Sequence, residues 1–421
     1  KGCVLNLIDT PGHSDFSYEV SRALTAVEGA ILLVDGTKGI QAQTLSNLRT
    51  ARKAGLTIIG AVNKVDLNLP HVDKTIASVA ELLGVSSEDI FRVSAKTGDG
   101  VEALLDEVIK KFPAPKSGIS DTHMSQHAGT PRALIFDSLY DDHKGIIAFV
   151  RVFSAGGFLG IGNEFNCVAT GAKFKPKEIG FFSPNFVSFG KLSAGGIGYI
   201  ATGLKESEKI RVGDTIVGNQ ESGSKIQELA LPGYKEPAPV VFISFYPDGK
   251  TKFEDLKKGI ERLRLSDPAL SVEPEANDAL GRGLKVGFLG QLHFEIIASR
   301  LEREFNLGFL TSFPTIAYRI LDGGEEKILK EPHNFPDKPE KVWQPMMKME
   351  ILSPKEYLSS VAALKNVFEL EIIEVETLGD NVAIKAKMPL AELIRDFDDQ
   401  LKSASSGYAS FSYEIAGEEE A

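Results

Sequence analysis

The first 113 residues alternate short apolar runs with amphipathic segments, and this alternation constrains the fold more than any other feature. The apolar runs are Cys3–Ile8, Ala30–Val34, Thr57–Val62 and Ile90–Val93, and the amphipathic segments are Tyr18–Ala26, Gln43–Ala54, Asp73–Leu83 and Val101–Lys111. Near-continuous apolar strands joined by helices are typical of a parallel sheet covered on both faces. We therefore predict an α/β domain over residues 1–117, followed by a polar linker over residues 119–129.

A polar motif, Asp9-Thr10-Pro11-Gly12-His13, follows the first predicted strand. A carboxylate at the end of a parallel strand points into the ligand crevice of such a sheet, where Asp9 suits Mg²⁺, directly or through water. Gly12 lets a backbone N–H approach a phosphate, and His13 stands where an imidazole could orient or polarise an attacking water. The simpler alternative is a strand-ending turn with a surface histidine.

Two further motifs follow later strands. An aspartate such as Asp66, in the run Asn63-Lys64-Val65-Asp66, can accept hydrogen bonds from both N–H groups of guanine and would be left unpaired by adenine. Asn63 adds an amide, the stem of Lys64 can stack on the base, and a backbone N–H of the run Ser94-Ala95-Lys96 can donate to guanine O6. Together the three ordered motifs predict a site for GTP or GDP with Mg²⁺.

A phosphate-binding loop of the form G-x-x-x-x-G-K-[ST] does not precede Asp9, and a first switch segment with its Mg²⁺-binding threonine is also missing. The glycine-rich run at 156–162 has neither the strand–loop–helix setting nor the lysine, so we predict barrel turns there. We expect this chain alone to bind GTP weakly or not at all, and we interpret it as a fragment.

The rest of the chain divides into three further predicted domains. Short β-rich runs over residues 131–230 indicate an antiparallel β-barrel. Residues 238–320 and 344–415 each follow the order strand, helix, strand, strand, helix, strand, which is typical of a ferredoxin-like domain. The fold class is therefore multidomain, combining α/β, β-barrel and α+β parts. We expect the tail 417–421 to be frayed.

Several runs resemble the elongation factor 4 (LepA) family of translational GTPases. They are DFSYEVSRAL at 15–24, EGAILLVD at 28–35, GIQAQTL at 39–45, GFLGQLHFEII at 287–297, RLEREF at 300–305, PLAE at 389–392, LKS at 401–403 and GYAS at 407–410. These runs fall in family order over nearly the whole chain, and two of them favour this family over elongation factor G and BipA-like factors. The resemblance departs at 321–344, which we expect to be a lineage-specific or disordered loop, and the family's C-terminal domain does not follow.

The resemblance implies ribosome-stimulated GTP hydrolysis, with His13 matching the residue that positions water. It implies the ribosome as partner, through rRNA and ribosomal proteins, during elongation, back-translocation or ribosome assembly, with tRNA as a further partner. We expect a monomer in the bacterial cytoplasm, with a mitochondrial or plastid matrix as alternatives and peripheral membrane association as the weakest expectation. A different class stays open: a non-hydrolysing ribosome- or protein-binding module, should the native chain lack a phosphate loop.

Composition excludes some classes of protein. The net charge of −11 argues against a uniformly basic nucleic-acid coat, although it leaves room for local basic faces. Two cysteines, Cys3 and Cys167, exclude a disulfide framework and indicate a reducing compartment. Among smaller features, we predict that His123 and His127 lie in a solvated loop, that His293 is a satisfied core or interface residue, and that Arg300 and Arg303 form a solvated helix face rather than an rRNA contact.

Overall fold

The computed structural model describes residues 4–115, 131–153, 158–218, 227–231, 238–267, 269–277, 279–330 and 334–421. Within this part of the chain the strands form five sheets, of three, eight, two, five and six strands. The fold is multidomain and mixed α/β, with one parallel sheet and several antiparallel sheets. The predicted linker at 119–129 and the histidines at 123 and 127 lie outside the described residues.

The first unit is a parallel sheet in the order β1-β2-β3, with helices against it. Its strands are β1 (Gly29–Asp35), β2 (Thr57–Asn63) and β3 (Phe91–Arg92), and its helices are α1 (Ser17–Thr25), α2 (Ala42–Lys53), α3 (Val72–Leu83) and α4 (Val101–Lys111). The backbone N–H of Gln41 donates to the hydroxyl of Thr44 at the start of α2, and Gly84 in the left-handed region ends α3. The four helices therefore match their predicted positions to within a residue or two.

The predicted strand Cys3–Ile8 is wrong where the structure describes it. Val4–Ile8 is irregular, and Val4 and Leu7 are 86% and 89% exposed. No strand of the described residues lies beside it, because the sheet runs only from β1 to β3. A strand needs a neighbour to satisfy its backbone groups, so an apolar run without one does not form a strand.

The second unit, within residues 131–218, is antiparallel. Its strands are β4 (Arg132–Asp141), β5 (Gly145–Phe153), β6 (Phe158–Gly160), β7 (Phe165–Cys167), β8 (Lys173–Phe174), β9 (Glu178–Ser183), β10 (Asn185–Ser188), β11 (Lys191–Ser193), β12 (Ile197–Ala201) and β13 (Thr215–Gly218). Eight of them pair in the order β10-β9-β12-β5-β4-β13-β7-β8, and β11 pairs with β6. Their inward residues, including Ile135, Val150 and Ile200, enclose one apolar core in which Cys167 is buried.

The third unit packs two helices on an antiparallel sheet ordered β15-β16-β14-β17. Its elements are β14 (Val241–Pro247), α5 (Phe253–Ser266), β15 (Ser271–Asn277), β16 (Gly281–Phe288), α6 (Gln291–Phe305), β17 (Phe309–Thr311) and β18 (Thr315–Ile316). Leu256 and Ile260 of α5 and Leu301 of α6 are buried against Phe245 and Phe288 of the sheet. The apolar side of each helix therefore faces the sheet, as expected for an amphipathic helix.

The last unit repeats that arrangement with a longer sheet. Its elements are β19 (Tyr318–Asp322), β20 (Glu325–Leu329), β21 (Lys341–Pro354), α7 (Leu358–Ala362), β22 (Glu371–Leu378), β23 (Asn381–Pro389), α8 (Leu390–Glu392), α9 (Asp398–Ala404) and β24 (Ser410–Glu420). The sheet order is β20-β19-β21-β23-β22. β24 pairs with the edge of β21 that lies opposite β19 and β23. The second helical segment of this unit is interrupted between α8 and α9 at Asp396, whose φ of −165° is not helical.

Two expectations for the last unit are wrong. The part of 321–344 that the structure describes contains most of the hairpin β19–β20, which extends the sheet, so it is not wholly an irregular loop. The tail is not frayed either, because β24 continues to Glu420 along β21. Glu418, Glu419 and Glu420 form ion pairs with Arg319, Lys387 and Lys341. A run of glutamates gives no sign in the sequence of such pairing with distant residues.

The first unit is joined to each of the others by buried contacts. Ala42 and Leu45 of α2 pack against Leu352 and Ala383 of the last sheet. On the same helix, the guanidinium of Arg49 donates two hydrogen bonds, of 2.6 and 2.7 Å, to the buried carboxylate of Glu350. The first unit is thus docked along α2 and, as described below, at both ends of α1.

Candidate functional site

The two predicted base-reading loops meet at the carboxyl ends of β2 and β3. The N–H of Ala95 donates to Oδ1 of Asn63 at 3.0 Å, and the hydroxyl of Ser94 donates to Oδ1 of Asp66 at 2.7 Å. Ser94 is fully buried, whereas Ala95 and Lys96 are exposed. Within the described residues, Oδ2 of Asp66 has no hydrogen-bond donor. The structure therefore joins the motifs at 63–66 and 94–96 and leaves one carboxylate oxygen for a ligand.

Lys64 sits between these loops and the end of β1. It adopts the left-handed backbone conformation, with φ of 66°, and its ammonium lies 2.7 Å from Oδ2 of Asp35. Burial works to raise the pKa of Asp35, but hydrogen bonds from Lys64 and Thr37 outweigh it and lower the pKa to about 2. Asp35, directly opposite Asn63 in the sheet register, was not singled out from the sequence. Its position at the end of an apolar run, like that of Asp9, is the signal that could have found it.

The motif at 9–13 lies in irregular backbone before α1. Asp9 is exposed, and its Oδ1 accepts from the N–H of Thr10 at 3.0 Å. A side chain at Gly12 would meet nothing within 4 Å, so space is open around its backbone. The carbonyl of Gly12 accepts a 3.4 Å bond from Asn47 of α2. In the described residues no hydrogen bond connects Asp9, Thr10, Pro11 or Gly12 to the base-reading loops.

His13 faces a buried carboxylate that the sequence analysis missed. Its Nδ1 lies 3.1 Å from Oδ1 of Asp15 and 3.3 Å from the backbone nitrogen of Asp15. The backbone N–H of Asp15 donates to Nδ1 of His13, so the His13 side chain caps the short helical turn at residues 14–16.

Asp15 is held by two distant elements. Its Oδ2 accepts from the N–H groups of Leu292 and His293, at 2.9 and 3.4 Å, in the first turn of α6. Its Oδ1 accepts from the hydroxyl of Tyr413 on β24 at 2.6 Å. Burial works to raise the pKa of Asp15, but hydrogen bonds with His13 and Tyr413 outweigh it and lower the pKa. The carboxylate therefore stays charged at the junction of three units.

The other end of α1 is attached to the second unit. Arg151 of β5 is 2% exposed and donates to the carbonyl of Ala26, just past α1, at 2.8 Å. It also pairs with Glu28 at 2.5 Å. Since the C-terminal end of a helix carries partial negative charge, a buried guanidinium is well placed there.

A group of acidic side chains surrounds α1 between these two attachments. Burial raises the pKa of Glu19, with Arg22 lowering it and Asp267 and Asp137 adding to the rise. Asp137 of β4, an exposed residue, adds its negative charge to the same group. Arg22 itself stacks over the ring of Tyr18 at 4.3 Å. The interface thus contains more carboxylate than guanidinium charge.

The smaller predicted features behave as satisfied structural residues. His293 is 2% exposed; its Nδ1 accepts from the N–H of Leu289, and its Nε2 lies 2.8 Å from Asp267. Arg300 pairs with Glu304 one turn away, and Arg303 is exposed on the same helix. Residues 156 and 157 of the glycine-rich run lie outside the described residues, and 158–160 form β6.

Metal binding has one candidate ligand, Asp9. The described residues contain no group of three or more histidine, cysteine or acidic side chains that could hold a metal ion. A single exposed carboxylate nevertheless fits Mg²⁺, which commonly binds through one or two carboxylates, water and substrate phosphates. Among the described residues, no helix is long and apolar enough to cross a membrane.

Three parts of the chain match families of translation factors. Residues 1–114 match the Elongation factor Tu GTP binding domain, 236–312 match Elongation Factor G, domain III, and 342–420 match the Elongation factor G C-terminus. The chain also resembles a crystal structure of a protein from Thermus thermophilus with a TM-score of 0.59, covering 98% of this chain and 86% of that one. At 15% identity this likeness supports the fold alone.

Curated relatives match along nearly the whole chain. Elongation factor 4 of Streptomyces griseus is 42% identical over 99% of this chain, which spans 65% of that protein. Elongation factor 4 of Thermobifida fusca is 43% identical over 99%, with 66% of its own length covered. Elongation factor 4 of Tropheryma whipplei, strain Twist, is 41% identical over 99%, with 68% of its own length covered. The chain therefore belongs to the elongation factor 4 family.

Proposed function

We propose that the protein is a ribosome-associated GTP hydrolase. The guanine base of the bound nucleotide would lie between residues 63–66 and 94–96. The observation that carries this proposal is the pairing of the two loops through Asn63 with Ala95 and Asp66 with Ser94. That pairing presents the carboxylate of Asp66 to the N1–H and N2–H₂ groups of guanine. Because adenine offers no such pair of donors, the carboxylate beneath the base would go unsatisfied and adenine would be rejected.

Other groups of the loops complete base recognition in this proposal. The N–H of Ala95 is committed to Asn63, so the N–H of Lys96 is the group left to donate to guanine O6. The ion pair with Asp35 fixes the end of the Lys64 side chain, and its methylene stem can then cover one face of the base.

Residues 9–13 form the phosphate side of the proposed site. Asp9 would hold Mg²⁺ directly or through water, Thr10 and Pro11 shape the turn, and the N–H of Gly12 would donate to the γ-phosphate. Bound Mg²⁺ would neutralise charge on the phosphates. His13 would orient or polarise the attacking water, a role that requires a lone pair or a donor directed at that water.

We infer the finer architecture from strand order. Residues 131–230 are assigned as a β-barrel, and 238–320 and 344–415 as ferredoxin-like domains. The sheet orders β15-β16-β14-β17 and β22-β23-β21-β24 support the latter two, because both place the first strand between the third and fourth.

The proposed partner is the ribosome, through rRNA and ribosomal proteins, with tRNA as a further partner. The proposed setting is the bacterial cytoplasm, with the protein acting as a monomer in elongation, back-translocation or ribosome assembly. Support comes from relatives named elongation factor 4 in several bacteria.

The test is GTP turnover by the full-length protein with and without bacterial ribosomes. Ribosomes should stimulate turnover, and His13→Ala should lower the stimulated rate by about 10²-fold or more, the usual contribution of a positioned acid–base group. The matched control is His71→Ala, an exposed histidine of the same unit. Absence of stimulation in the wild type would favour a non-hydrolysing binding module, and unchanged turnover in His13→Ala would remove His13 from the mechanism.

A further inference from the structure

A short turn at the end of β1, residues 35–37, touches the base-reading loop that follows β2 at two points. Asp35 lies opposite Asn63 in the sheet register, and the N–H of Gly36 donates to the carbonyl of Asn63 at 2.9 Å. A side-chain carbon at Gly36 would lie 2.7 Å from that carbonyl, so glycine allows the close approach. The second point is the carboxylate of Asp35, whose Oδ2 lies 2.7 Å from the ammonium of Lys64.

The carboxylate of Asp35 is oriented from its own side of this contact. Thr37 donates to Oδ1 through its N–H at 2.8 Å and through its hydroxyl at 2.7 Å, which leaves Oδ2 for Lys64. Burial acts to raise the pKa of Asp35, but the hydrogen bonds from Lys64 and Thr37 outweigh it and hold the pKa at about 2. The carboxylate is therefore charged near neutral pH, with one oxygen committed to Thr37 and the other to Lys64.

Lys64 gains its orientation from this pair rather than from burial. Its side chain is 48% exposed, and its backbone φ of 66° lies in the left-handed region that lysine rarely adopts. A lysine without a partner occupies many rotamers, and holding it against a base would cost conformational entropy. An exposed ion pair adds little to the stability of a fold, but it restricts the far end of a flexible side chain. The pair is therefore suited to orientation rather than to stability.

We propose that Asp35 is a positioning residue for the nucleotide base, which it holds through Lys64 without reading it. The inference rests on the proposed function, in which the methylene stem of Lys64 covers one face of the guanine ring. The faces of guanine and of hypoxanthine, the base of inosine, are nearly alike, whereas their edges differ by the N2 amino group. Asp66 reads the edge and Asp35 acts on the face. Asp35 therefore sets how tightly the base is held, and Asp66 sets which base is held.

The first measurement is the affinity of the full-length protein for GDP and for inosine diphosphate, by equilibrium titration. Asp35→Asn keeps one acceptor oxygen but can turn its NH₂ group towards the ammonium of Lys64, so the pair is lost. We expect both affinities to fall by the same factor, about 3- to 10-fold. Asp66→Asn should instead reduce the preference for GDP over inosine diphosphate. Asp73→Asn, which removes an exposed ion pair with Arg92 in the same unit, is the matched control and should change neither affinity.

A second measurement detects the ion pair itself. In ¹H–¹⁵N spectra of lysine ammonium groups at mildly acidic pH, a paired ammonium exchanges slowly enough to be visible. The signal of Lys64 is assigned by its loss in Lys64→Met. We expect this signal in the wild type and its loss in Asp35→Asn, while Lys385, which pairs with Glu374 and Glu376, supplies an internal reference that stays. A change confined to Lys64 separates loss of the pair from a general disturbance of the fold.

Lys64→Met tests the same pair from the other side and keeps most of the stem. It should weaken both nucleotides by the same factor, and the double variant with Asp35→Asn should show no further loss, because both substitutions remove one interaction. If Asp35→Asn fails to fold, the wild-type spectrum and Lys64→Met still decide.

Full affinity for both nucleotides in Asp35→Asn would overturn the inference, and so would an unchanged Lys64 signal in that variant. A loss confined to GDP would also overturn it, because Asp35 would then act on the edge of the base. Failure of the proposed function gives a different result: the wild type would bind GDP no better than adenosine diphosphate, while the Lys64 signal would still depend on Asp35.

Discussion

At the scale of single residues, the proposed function makes nucleotide choice depend on the side chain of Asp66. Ser94 already occupies one of its oxygens, so the carboxylate is oriented before any ligand arrives. Orientation of this kind lowers the entropy lost on binding and sharpens discrimination between bases. Asn63 is oriented in the same way by Ala95.

Asp66→Asn should convert a guanine site into a xanthine site. The amide oxygen can still accept from Ser94, so the loop should keep its shape. The amide NH₂ group, however, is a donor at the place where guanine N2–H₂ needs an acceptor. We expect GTP affinity to fall about 10²-fold or more and affinity for xanthosine triphosphate to rise, measured by equilibrium titration of the full-length protein. Asp73→Asn, on the exposed start of α3, is the control. Equal losses for both nucleotides would contradict the role of Asp66.

The meeting of the two candidate base-reading loops could be predicted from the sequence, because it depends on neighbouring strands of the chain. The motifs at 63–66 and 94–96 follow strands whose apolar runs are unmistakable, and their meeting follows from parallel strand order. Asp15 was missed because its partners lie 277 and 398 positions away. Nothing local in the run Ser14-Asp15-Phe16 distinguishes a buried junction carboxylate from a solvated one.

At the scale of elements, α2 is the main attachment of the first unit to the last sheet. Its apolar face meets Leu352 and Ala383, and Arg49 pairs with Glu350, which is 6% exposed. An ion pair of this kind contributes less than its geometry suggests, because both partners give up water. Removing one partner is costlier, since the buried carboxylate is left unpaired.

Arg49→Ala should therefore destabilise the docking of α2 by about 1–3 kcal/mol. This is less than the usual cost of breaking a fully buried ion pair, because Arg49 is half exposed. The measurement is the opening free energy of α2 amides by native-state hydrogen exchange. Replacing both partners, as in Arg49→Met with Glu350→Met, should recover most of the loss. Lys53→Ala, at the exposed end of the same helix, serves as control, and an equal loss there would contradict the assignment.

Elements whose existence depends on distant partners were the ones predicted wrongly. The apolar run at 3–8 looks like a strand, but Val4–Ile8 has no neighbour among the described strands. The acidic tail looks frayed, but it pairs with β21 and with three basic side chains. In both cases the local composition predicts the wrong state. The presence or absence of a neighbouring strand decides whether the segment forms a strand.

At the scale of the whole molecule, the acidic interface around α1 makes docking sensitive to pH. The raised pKa of Glu19 means that the docked state favours its protonated form. Its contribution to stability is therefore fully present below its ordinary value of 4.5, and it is lost as pH rises through the raised value. Asp15 acts oppositely, because its lowered pKa gives stability above 3.8 that disappears in stronger acid.

Glu19→Gln should raise the melting temperature at pH 7.5, since it removes a desolvated charge, and the gain should shrink towards pH 4.5. Thermal unfolding at the two pH values measures both effects. Glu102→Gln, on the exposed start of α4, controls for net charge. A gain of the same size at both pH values would show that desolvation of the Glu19 carboxylate is not its cause.

Both ends of α1 are anchored, through Asp15 just before the helix and through Arg151 just past it. Its nine residues span about 13 Å, and both anchoring side chains are buried. A tilt of α1 would therefore have to break at least one anchor, at the cost of leaving a buried charge without its partner.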